Sequence, residues 1–216
     1  FGGGYKPADY DRREPGGITM RYALGGSRNI PAIKAMYTAG IENTHKLAID
    51  MGVTDGVVNC AGAPKCEGIL STAIGDGGQI RLDQHVHGYA TFSRLGKNKP
   101  QTYILKIEDS KGKVIKQWKD EEGTQAIDPQ IAYIINDMLS DRNASYFRID
   151  KNFRDRVTNG FETLDIPAAM KTGTTNNIDN GWIMGYTTKF AAGVWIGNHE
   201  NKSSNGRFDF TNATAP

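Results

Sequence analysis

Three short runs typical of β-strands lie near the end of the chain, and they constrain the fold more than any other feature. MKTGTT (residues 170–175) is rich in β-branched threonine, and GWIMGYTTKFAAGVWIG (residues 181–197) contains two apolar runs around Thr187, Thr188 and Lys189. Apolar runs of strand length that are joined by a few turn residues form a β-hairpin. The sequence therefore predicts a strand followed by an antiparallel hairpin.

Upstream of this region, four segments carry helical signals, in which apolar residues recur at helical spacing after a capping residue or an early proline. The predicted helices span residues 29–40, 43–52, 82–96 and 128–139, and the predicted caps of the last three are Asn43, Asp83 and Asp128. A second hairpin is predicted over residues 102–118, with its turn at Asp109, Ser110, Lys111 and Gly112. Helices beside a mostly antiparallel sheet predict an α+β fold with helices packed on the sheet.

Composition narrows the class of protein. The chain has 216 residues, of which 38% are hydrophobic and 23% charged, so it is globular and long enough for one full-sized domain. Its formal net charge of +2 argues against a nucleic-acid-binding protein, because such proteins carry a concentrated basic face. No apolar run approaches the roughly 20 residues that a transmembrane helix needs.

The cysteines and histidines do not form the patterns of a metal site. Cys60 and Cys66 lack the C-x-x-C spacing and a second ligand pair, and His85 and His87 point in different directions on a helix. Five residues separate the two cysteines, with a glycine and a proline between them, so a disulfide-closed loop is sterically feasible in an oxidising compartment. Two free thiols are the alternative.

The strand over residues 170–175 carries groups that can hold a peptide by its carboxylate. Side chains alternate along a strand, so Lys171 points to one face while Thr172 and Thr174 share the other. Gly173 lets a ligand backbone lie close to the strand, and an edge strand can pair with an extended peptide. The alternative is an ordinary strand with a surface lysine and surface threonines.

A second cluster of polar residues stands where the first predicted helix begins, after Gly25 and Gly26. Ser27 and Asn29 form an S-x-N triplet in a short loop, where the simpler role of either residue is to cap the helix that follows. S-x-N followed by K-T-G, preceded by S-x-x-K, is the signature of serine β-lactamases and penicillin-binding proteins. Two of these three elements occur here, in the order of that signature.

The chain resembles the transpeptidase domain of class A, bifunctional penicillin-binding proteins well beyond these triplets. The matching segments are residues 3–33, 75–97, 99–115 and 166–198, in the order of the family. The resemblance implies a penicillin-binding protein fold and a D,D-transpeptidase that cross-links peptidoglycan stem peptides ending in D-Ala-D-Ala. In that family a serine forms an acyl-enzyme, and penicillins acylate the same serine.

The resemblance also implies roles for individual residues. Ser27 matches the serine that relays protons, and Lys171 matches the lysine that supports the relay and the carboxylate site. Asn29 matches the residue that contacts the amide of the substrate. Thr172 and Thr174 match the residues that contact its carboxylate, and the backbone N–H of Thr174 would donate in the oxyanion hole.

The S-x-x-K element, which carries the nucleophile in the family, does not precede Ser27. The one literal match, from Ser110 to Lys113, follows the S-x-N triplet and lies in a predicted hairpin turn, so it is interpreted as surface. The chain also starts abruptly in loop-like sequence. We therefore expect residues 1–216 to be the C-terminal portion of the transpeptidase domain, with the nucleophile outside this chain.

Further expectations concern partners, location and activity. The resemblance implies stem peptides and β-lactams as ligands and an upstream glycosyltransferase domain. No cofactor is expected, and the charge balance and residue spacing described above indicate no nucleic acid and no metal. It places the protein at the outer face of the bacterial cytoplasmic membrane, anchored by a segment that this sequence lacks. Two alternatives stay open: a D,D-carboxypeptidase or β-lactamase of the same fold, or a non-catalytic module that recognises stem peptides or β-lactams.

Overall fold

A computed structural model describes residues 6–54, 70–75, 80–145, 166–175 and 180–197. The helices are α1 (Met20–Gly25), α2 (Asn29–Ala39), α3 (Ile41–Asp50), α4 (Leu82–Ser93) and α5 (Pro129–Ser140). The strands are β1 (Lys97–Asn98), β2 (Lys106–Glu108), β3 (Val114–Gln117), β4 (Thr124–Gln125), β5 (Ala169–Thr174), β6 (Asn180–Tyr186) and β7 (Ala191–Gly197). Short 3₁₀ helices span Leu70–Ile74 and Arg142–Ala144. The predicted pair Cys60 and Cys66 lies outside the described residues.

The largest described sheet contains β5, β6 and β7 in that order, with both pairings antiparallel. Lys171 on β5 stands opposite Met184 on β6, and Trp182 stands opposite Trp195 on β7. The prediction of a strand followed by a hairpin is confirmed. Within the described part of the chain, β5 pairs on one side only and forms an edge of this sheet.

Two helices pack against this sheet and fix its position. Helix α4 contacts β6 and β7, with the His85 ring 5.4 Å from that of Trp182, and α5 contacts β5. A hydrogen-bond chain joins these elements: the buried Tyr186 hydroxyl donates to Asn136 Oδ1 at 2.7 Å, and Asn136 Nδ2 donates to the Phe92 carbonyl at 3.0 Å. Because buried polar groups need partners, these bonds specify how α4, α5 and the sheet meet.

The four predicted helices all exist, but two of their predicted caps are wrong. Asp128 does cap α5, since its side chain accepts a hydrogen bond from the Gln130 backbone N–H. Helix α3 begins at Ile41, two residues before Asn43, because Gly40 turns the chain there with a φ of 87°. Asp83 lies inside the first turn of α4 and not before it.

The side chain of Asp83 makes tertiary contacts in place of a cap. It accepts a 2.6 Å hydrogen bond from the Tyr103 hydroxyl and forms an ion pair with Arg81. These hydrogen bonds, from Tyr103 first and Arg81 second, lower the pKa of Asp83 to about 2. The carboxylate therefore joins the start of α4 to the segment that leads into β2.

The predicted hairpin over residues 102–118 is confirmed by the antiparallel pairing of β2 with β3. Asp109 Oδ1 accepts from the backbone N–H groups of Lys111 and Lys113, at 2.8 and 2.9 Å, and so closes the turn. Ser110 is exposed in this turn and does not stand at a helix start. The structure thus agrees with the interpretation of the literal S-x-x-K match as a surface turn.

No helix in the described ranges is both long enough and apolar enough to span a bilayer.

The described core contains a cluster of Met51, Ile127 and Ala132, against which Phe92 packs. Because this cluster joins the end of α3 to α4 and the start of α5, it holds in place the helices that support the sheet.

Candidate active site

The S-x-N and K-T-G triplets meet in space although 144 residues separate them. Lys171 Nζ lies 2.7 Å from Ser27 Oγ, within hydrogen-bond distance. The same ammonium donates to the Thr172 carbonyl oxygen at 2.7 Å. The structure thus brings together the two residues that the sequence predicts as catalytic, at the edge strand of the sheet.

Ser27 stands in the tight turn between α1 and α2. Its backbone is in the left-handed region, with a φ of 51°, and its N–H donates to the Leu24 carbonyl at 3.1 Å. This conformation costs a non-glycine residue roughly 1–2 kcal/mol, so the surrounding structure must hold it. A Cβ added to Gly25, just before the turn, would meet the Ala144 carbonyl oxygen at 2.5 Å, so the close packing of this turn requires glycine there.

Arg28, the middle residue of S-x-N, fastens the turn to the segment before α1. Its guanidinium donates to Asp11 Oδ1 at 2.6 Å, lies 3.8 Å from Asp9 Oδ2 and stacks over the Tyr10 ring at 5.4 Å. Asp9, whose side chain is only 3% exposed, also accepts from the Ile30 backbone N–H at 3.1 Å. Because Ile30 is in the first turn of α2, Asp9 supplies the cap that neither Ser27 nor Asn29 provides.

Asn29 belongs to α2 itself, so the simpler interpretation of this residue as a helix cap is wrong. Its Nδ2 donates to the Ala8 carbonyl at 2.9 Å, which adds a second bond to the segment before α1. Its side-chain oxygen makes no hydrogen bond to the described residues. That oxygen remains able to accept from an amide of a ligand.

The surroundings of the Lys171 side chain disfavour its protonated, charged form. Burial lowers the pKa of its ammonium from the usual 10.5 to about 8. In the described part of the chain, no carboxylate lies within ion-pair distance of it. A substantial fraction of Lys171 is therefore neutral at weakly alkaline pH.

The backbone of β5 turns hydrogen-bonding groups toward the sheet edge. The Thr175 N–H donates to Asn180 on the β6 side at 3.1 Å, and the direction of N–H and C=O groups alternates along a strand. The N–H groups of Thr172 and Thr174 therefore point away from β6. The bond from Lys171 to the Thr172 carbonyl agrees with this alternation.

Gly173 is exposed, and the packing of the fold does not require glycine at this position. A Cβ added there would meet only the Trp182 Cβ, at an ordinary contact distance of 3.6 Å. The absence of a side chain leaves the surface of β5 open between Thr172 and Thr174. An extended ligand can therefore approach the backbone of this edge closely.

The two histidines considered in the sequence have structural contacts of different kinds. His87 Nε2 forms a 2.7 Å hydrogen bond with Asn98 Oδ1, whereas His85 packs between the rings of Tyr89 and Trp182. Burial lowers the pKa of His85, which keeps this ring neutral.

Sequence reasoning did not find the role of Arg28 and Asp9 in holding Ser27. The sequence feature that could have indicated this role is the charge pattern of residues 9–14, in which two aspartates precede two arginines. That pattern does not say that the segment folds back onto the turn between α1 and α2.

An antiparallel sheet covered by helices, with K-T-G on its edge strand and the S-x-N serine hydrogen-bonded to the lysine, defines a class of protein. It is the class of serine β-lactamases and penicillin-binding proteins. Within it, the chain belongs to the penicillin-binding protein transpeptidase domain family, whose sequence model matches residues 2–214. The resemblance on which the sequence analysis relied is confirmed.

Individual relatives agree with this assignment. Penicillin-binding protein 1A of Clostridium perfringens strain 13 is 30% identical over 205 residues, which are 90% of this chain and 27% of that protein. The chain therefore spans about a quarter of the length of this curated relative. The crystal structure of penicillin-binding protein 1A from Haemophilus influenzae superimposes with a TM-score of 0.75 at 21% identity, covering 95% of this chain and 33% of that one.

A third protein has the same fold at lower sequence identity. The imipenem acyl-enzyme complex of penicillin-binding protein A from M. tuberculosis matches with a TM-score of 0.71 at 15% identity, over 94% of this chain and 48% of that one. These structural likenesses, together with the helices and antiparallel sheets described above, confirm the predicted α+β fold.

Proposed function

We propose that this chain is the C-terminal portion of a D,D-transpeptidase domain that cross-links peptidoglycan stem peptides ending in D-Ala-D-Ala. The observation that carries the proposal is the 2.7 Å contact between Lys171 Nζ and Ser27 Oγ at the edge of β5. A proton relay needs a hydroxyl beside a group that can gain and lose a proton near neutral pH, and this pair has both properties. Family membership supplies the reaction type.

In the proposed reaction, a serine of an S-x-x-K element attacks the carbonyl carbon of the penultimate D-alanine. The last peptide bond breaks, the terminal D-alanine leaves, and the amine of a second stem peptide accepts the acyl group. Ser27 and Lys171 move the proton to the leaving amine. The Thr174 N–H, which points to the edge of β5, stabilises the oxyanion, and one such donor contributes about 3–4 kcal/mol to lowering the barrier. Asn29 receives an amide of the stem peptide through its side-chain oxygen.

The carboxylate of the substrate is proposed to lie against Thr172 and Thr174. Their hydroxyls share a face of β5, and a threonine hydroxyl can donate to a carboxylate. Lys171 attracts that anion in its protonated state. Gly173 allows the peptide backbone to run along the strand, as in strand addition.

The nucleophile is proposed to come from a segment outside these residues, because no S-x-x-K precedes Ser27 in the sequence. Penicillins would acylate that serine, and the acyl-enzyme complex reported for the M. tuberculosis relative supports β-lactams as ligands. The proposal also places the protein at the outer face of the cytoplasmic membrane, with the anchor elsewhere, and includes an upstream glycosyltransferase domain, as the resemblance to class A penicillin-binding proteins implies.

The lack of an S-x-x-K element before Ser27 favours a second candidate, a non-catalytic module that binds stem peptides or β-lactams. Incubation of the complete gene product with a fluorescent penicillin, followed by denaturing electrophoresis, separates the two. The transpeptidase proposal expects a covalent band that excess unlabelled penicillin G abolishes. A folded complete product that binds penicillin but never becomes labelled would establish the non-catalytic module instead.

A residue-level test uses the same labelling on variants of the complete product. Lys171→Met is expected to slow acylation at least 100-fold, because it removes the proton-accepting group. The matched control, Lys189→Met, changes an exposed lysine at the turn between β6 and β7 and is expected to leave the rate unchanged. Equal rates for the two variants would contradict the role given to Lys171.

A further inference from the structure

The contact between Ser27 and Lys171 has the geometry of a nucleophile beside its base. We propose that Ser27 is itself an acyl acceptor, and that with Lys171 it forms a serine–lysine dyad that reacts with small activated esters. This activity goes beyond the proposed function, in which Ser27 relays protons and forms no bond to substrate. It belongs to the 216-residue chain and requires no residue from outside it.

The first support is the hydrogen bonding of Lys171. Its Nζ has two described partners, Ser27 Oγ and the Thr172 carbonyl, each at 2.7 Å. A carbonyl oxygen can only accept, so the amine donates to Thr172. At 2.7 Å the ammonium donates to Ser27 Oγ, and the neutral amine can instead accept from the Ser27 hydroxyl through its lone pair, which is the arrangement that activates a serine nucleophile. Serine–lysine pairs of this kind are an established variant of serine catalysis.

The second support is the environment of the base. Burial lowers the pKa of Lys171 to about 8, and no described carboxylate pairs with the ammonium to restore it. At pH 8 about half of the amine is therefore neutral, against less than about 1% for an ordinary lysine. A base with a pKa near the working pH is the most effective general base.

The third support is the way in which Ser27 is presented. A serine with a φ of 51° stands on a sharp turn, and the half-buried side chain faces the edge of the sheet. Arg28 fastens the turn through its 2.6 Å bond to Asp11, so the strained conformation is held in place. On the same edge, the Thr174 N–H points away from β6 and is available to the oxyanion of a tetrahedral intermediate.

The proposed reaction acylates Ser27 and then hydrolyses the resulting ester. The Ser27 hydroxyl proton passes to the neutral amine of Lys171 while Oγ bonds to the ester carbonyl carbon. The tetrahedral intermediate collapses, the bond from that carbon to the leaving aryloxide breaks, and the aryloxide departs as an anion or takes the proton from Lys171. The product is an ester on Ser27, and attack by water on this ester releases the acid and restores the hydroxyl.

The test is to incubate the 216-residue chain with p-nitrophenyl acetate and to locate the acetyl group by mass spectrometry of peptides. We expect the acetyl group on Ser27, removable by hydroxylamine, with an acylation rate that rises with pH around a midpoint near 8. Acetylation of Lys171 as a hydroxylamine-resistant amide would overturn the proposal, since the lysine would then be the nucleophile. Failure of Ser27 to become acetylated in the folded chain would also overturn it.

Two variants and a control test whether Ser27 and Lys171 are the residues that react. Ser27→Ala is expected to abolish the acetylated site, and Lys171→Met to slow its formation about 100-fold. Ser110→Ala removes a serine in the exposed turn between β2 and β3 and is expected to change nothing. Because the main readout is the modified residue of the unaltered chain, it does not depend on any variant folding. Penicillin labelling of the complete product concerns a different serine, so either proposal can fail while the other stands.

Discussion

Replacing Lys171 by methionine is expected to change how the stability of the chain depends on pH. The ordinary pKa of a lysine is 10.5, and burial lowers that of Lys171 to about 8 in the folded chain. Methionine has a similar length and no charge, so the variant keeps most of the packing and loses the titration. The prediction concerns the free energy of unfolding of the unaltered chain relative to that of the variant.

The direction of the effect follows from proton binding. Between pH 8 and pH 10.5 the unfolded chain holds a proton on Lys171 that the folded chain has released, so the free energy of unfolding rises with pH. Below pH 8 both states are protonated, and the full cost of burying the ammonium is present. Each pH unit between the two pKa values contributes about 1.4 kcal/mol, which gives about 3 kcal/mol at full effect. The hydrogen bonds to Ser27 and the Thr172 carbonyl make this an upper value.

The assay is urea unfolding followed by circular dichroism at pH 7, 8, 9 and 10. The unaltered chain is expected to gain stability relative to Lys171→Met by about 2 kcal/mol from pH 7 to pH 10, because the other titrating groups cancel in the difference. In the control Lys189→Met, an exposed lysine is removed and the difference should stay constant. A constant difference for Lys171→Met as well would refute the lowered pKa of the buried Lys171 side chain, which both proposals use.

Three further predictions concern single positions. By urea unfolding, Ser27→Gly is expected to be about 1 kcal/mol more stable than Ser27→Ala, because glycine accepts a φ of 51° without strain. Equal stability of the two variants would contradict that backbone conformation. Gly173→Ala should leave the thermal midpoint nearly unchanged, since the new Cβ makes an ordinary 3.6 Å contact, but should slow penicillin acylation of the complete product at least tenfold. Tyr186→Phe removes the hydroxyl that donates to the Asn136 side-chain oxygen and should lower the free energy of unfolding in urea by about 1–3 kcal/mol. The control Tyr133→Phe changes an exposed tyrosine and should leave that free energy unchanged.

Local signals predicted those elements whose partners lie nearby in the sequence. The Asp128 cap and the proline after it start α5 as expected, and Asp109 closes the hairpin turn through its own neighbours. Asp83 carries the same cap signal, but its carboxylate binds the Tyr103 hydroxyl 20 residues away and lies within the first turn of α4. A capping pattern cannot report a partner that only the tertiary fold brings close.

The same limit applies to the candidate site. Motif order and the family resemblance singled out Ser27 and Lys171, yet no periodicity or spacing places side chains 144 residues apart at 2.7 Å. The left-handed backbone of Ser27 and the burial of Lys171 depend on packing that the sequence pattern does not encode. Peptide pairing along K-T-G was expected only on the condition that its strand is an edge, and the described sheet has β5 at its edge.

Arg28 shows how the segment before α1 becomes part of the site. Its bond to Asp11 and the bond from Asn29 to the Ala8 carbonyl attach the two residues after Ser27 to that segment. Burial acts to raise the pKa of Asp11, but the hydrogen bond from Arg28 and that from the Arg13 backbone outweigh it, so this pKa is lowered and the pair stays charged. The position of the Ser27 hydroxyl is thus determined from outside its own turn.

Lys171 has no counter-ion among the described residues, and this reconciles the two roles that the proposals give it. To attract the carboxylate of a peptide, the side chain must be an ammonium; to accept a proton from Ser27, it must be a neutral amine. A buried aspartate beside it would hold the pKa near or above 10.5 and remove the neutral form. With burial as the cause of the shift and no described carboxylate nearby, the pKa is about 8 and both forms are populated near neutral pH. A lysine at the sheet edge that lacks a carboxylate partner in the described ranges can therefore hold an anionic ligand and still take part in proton transfer.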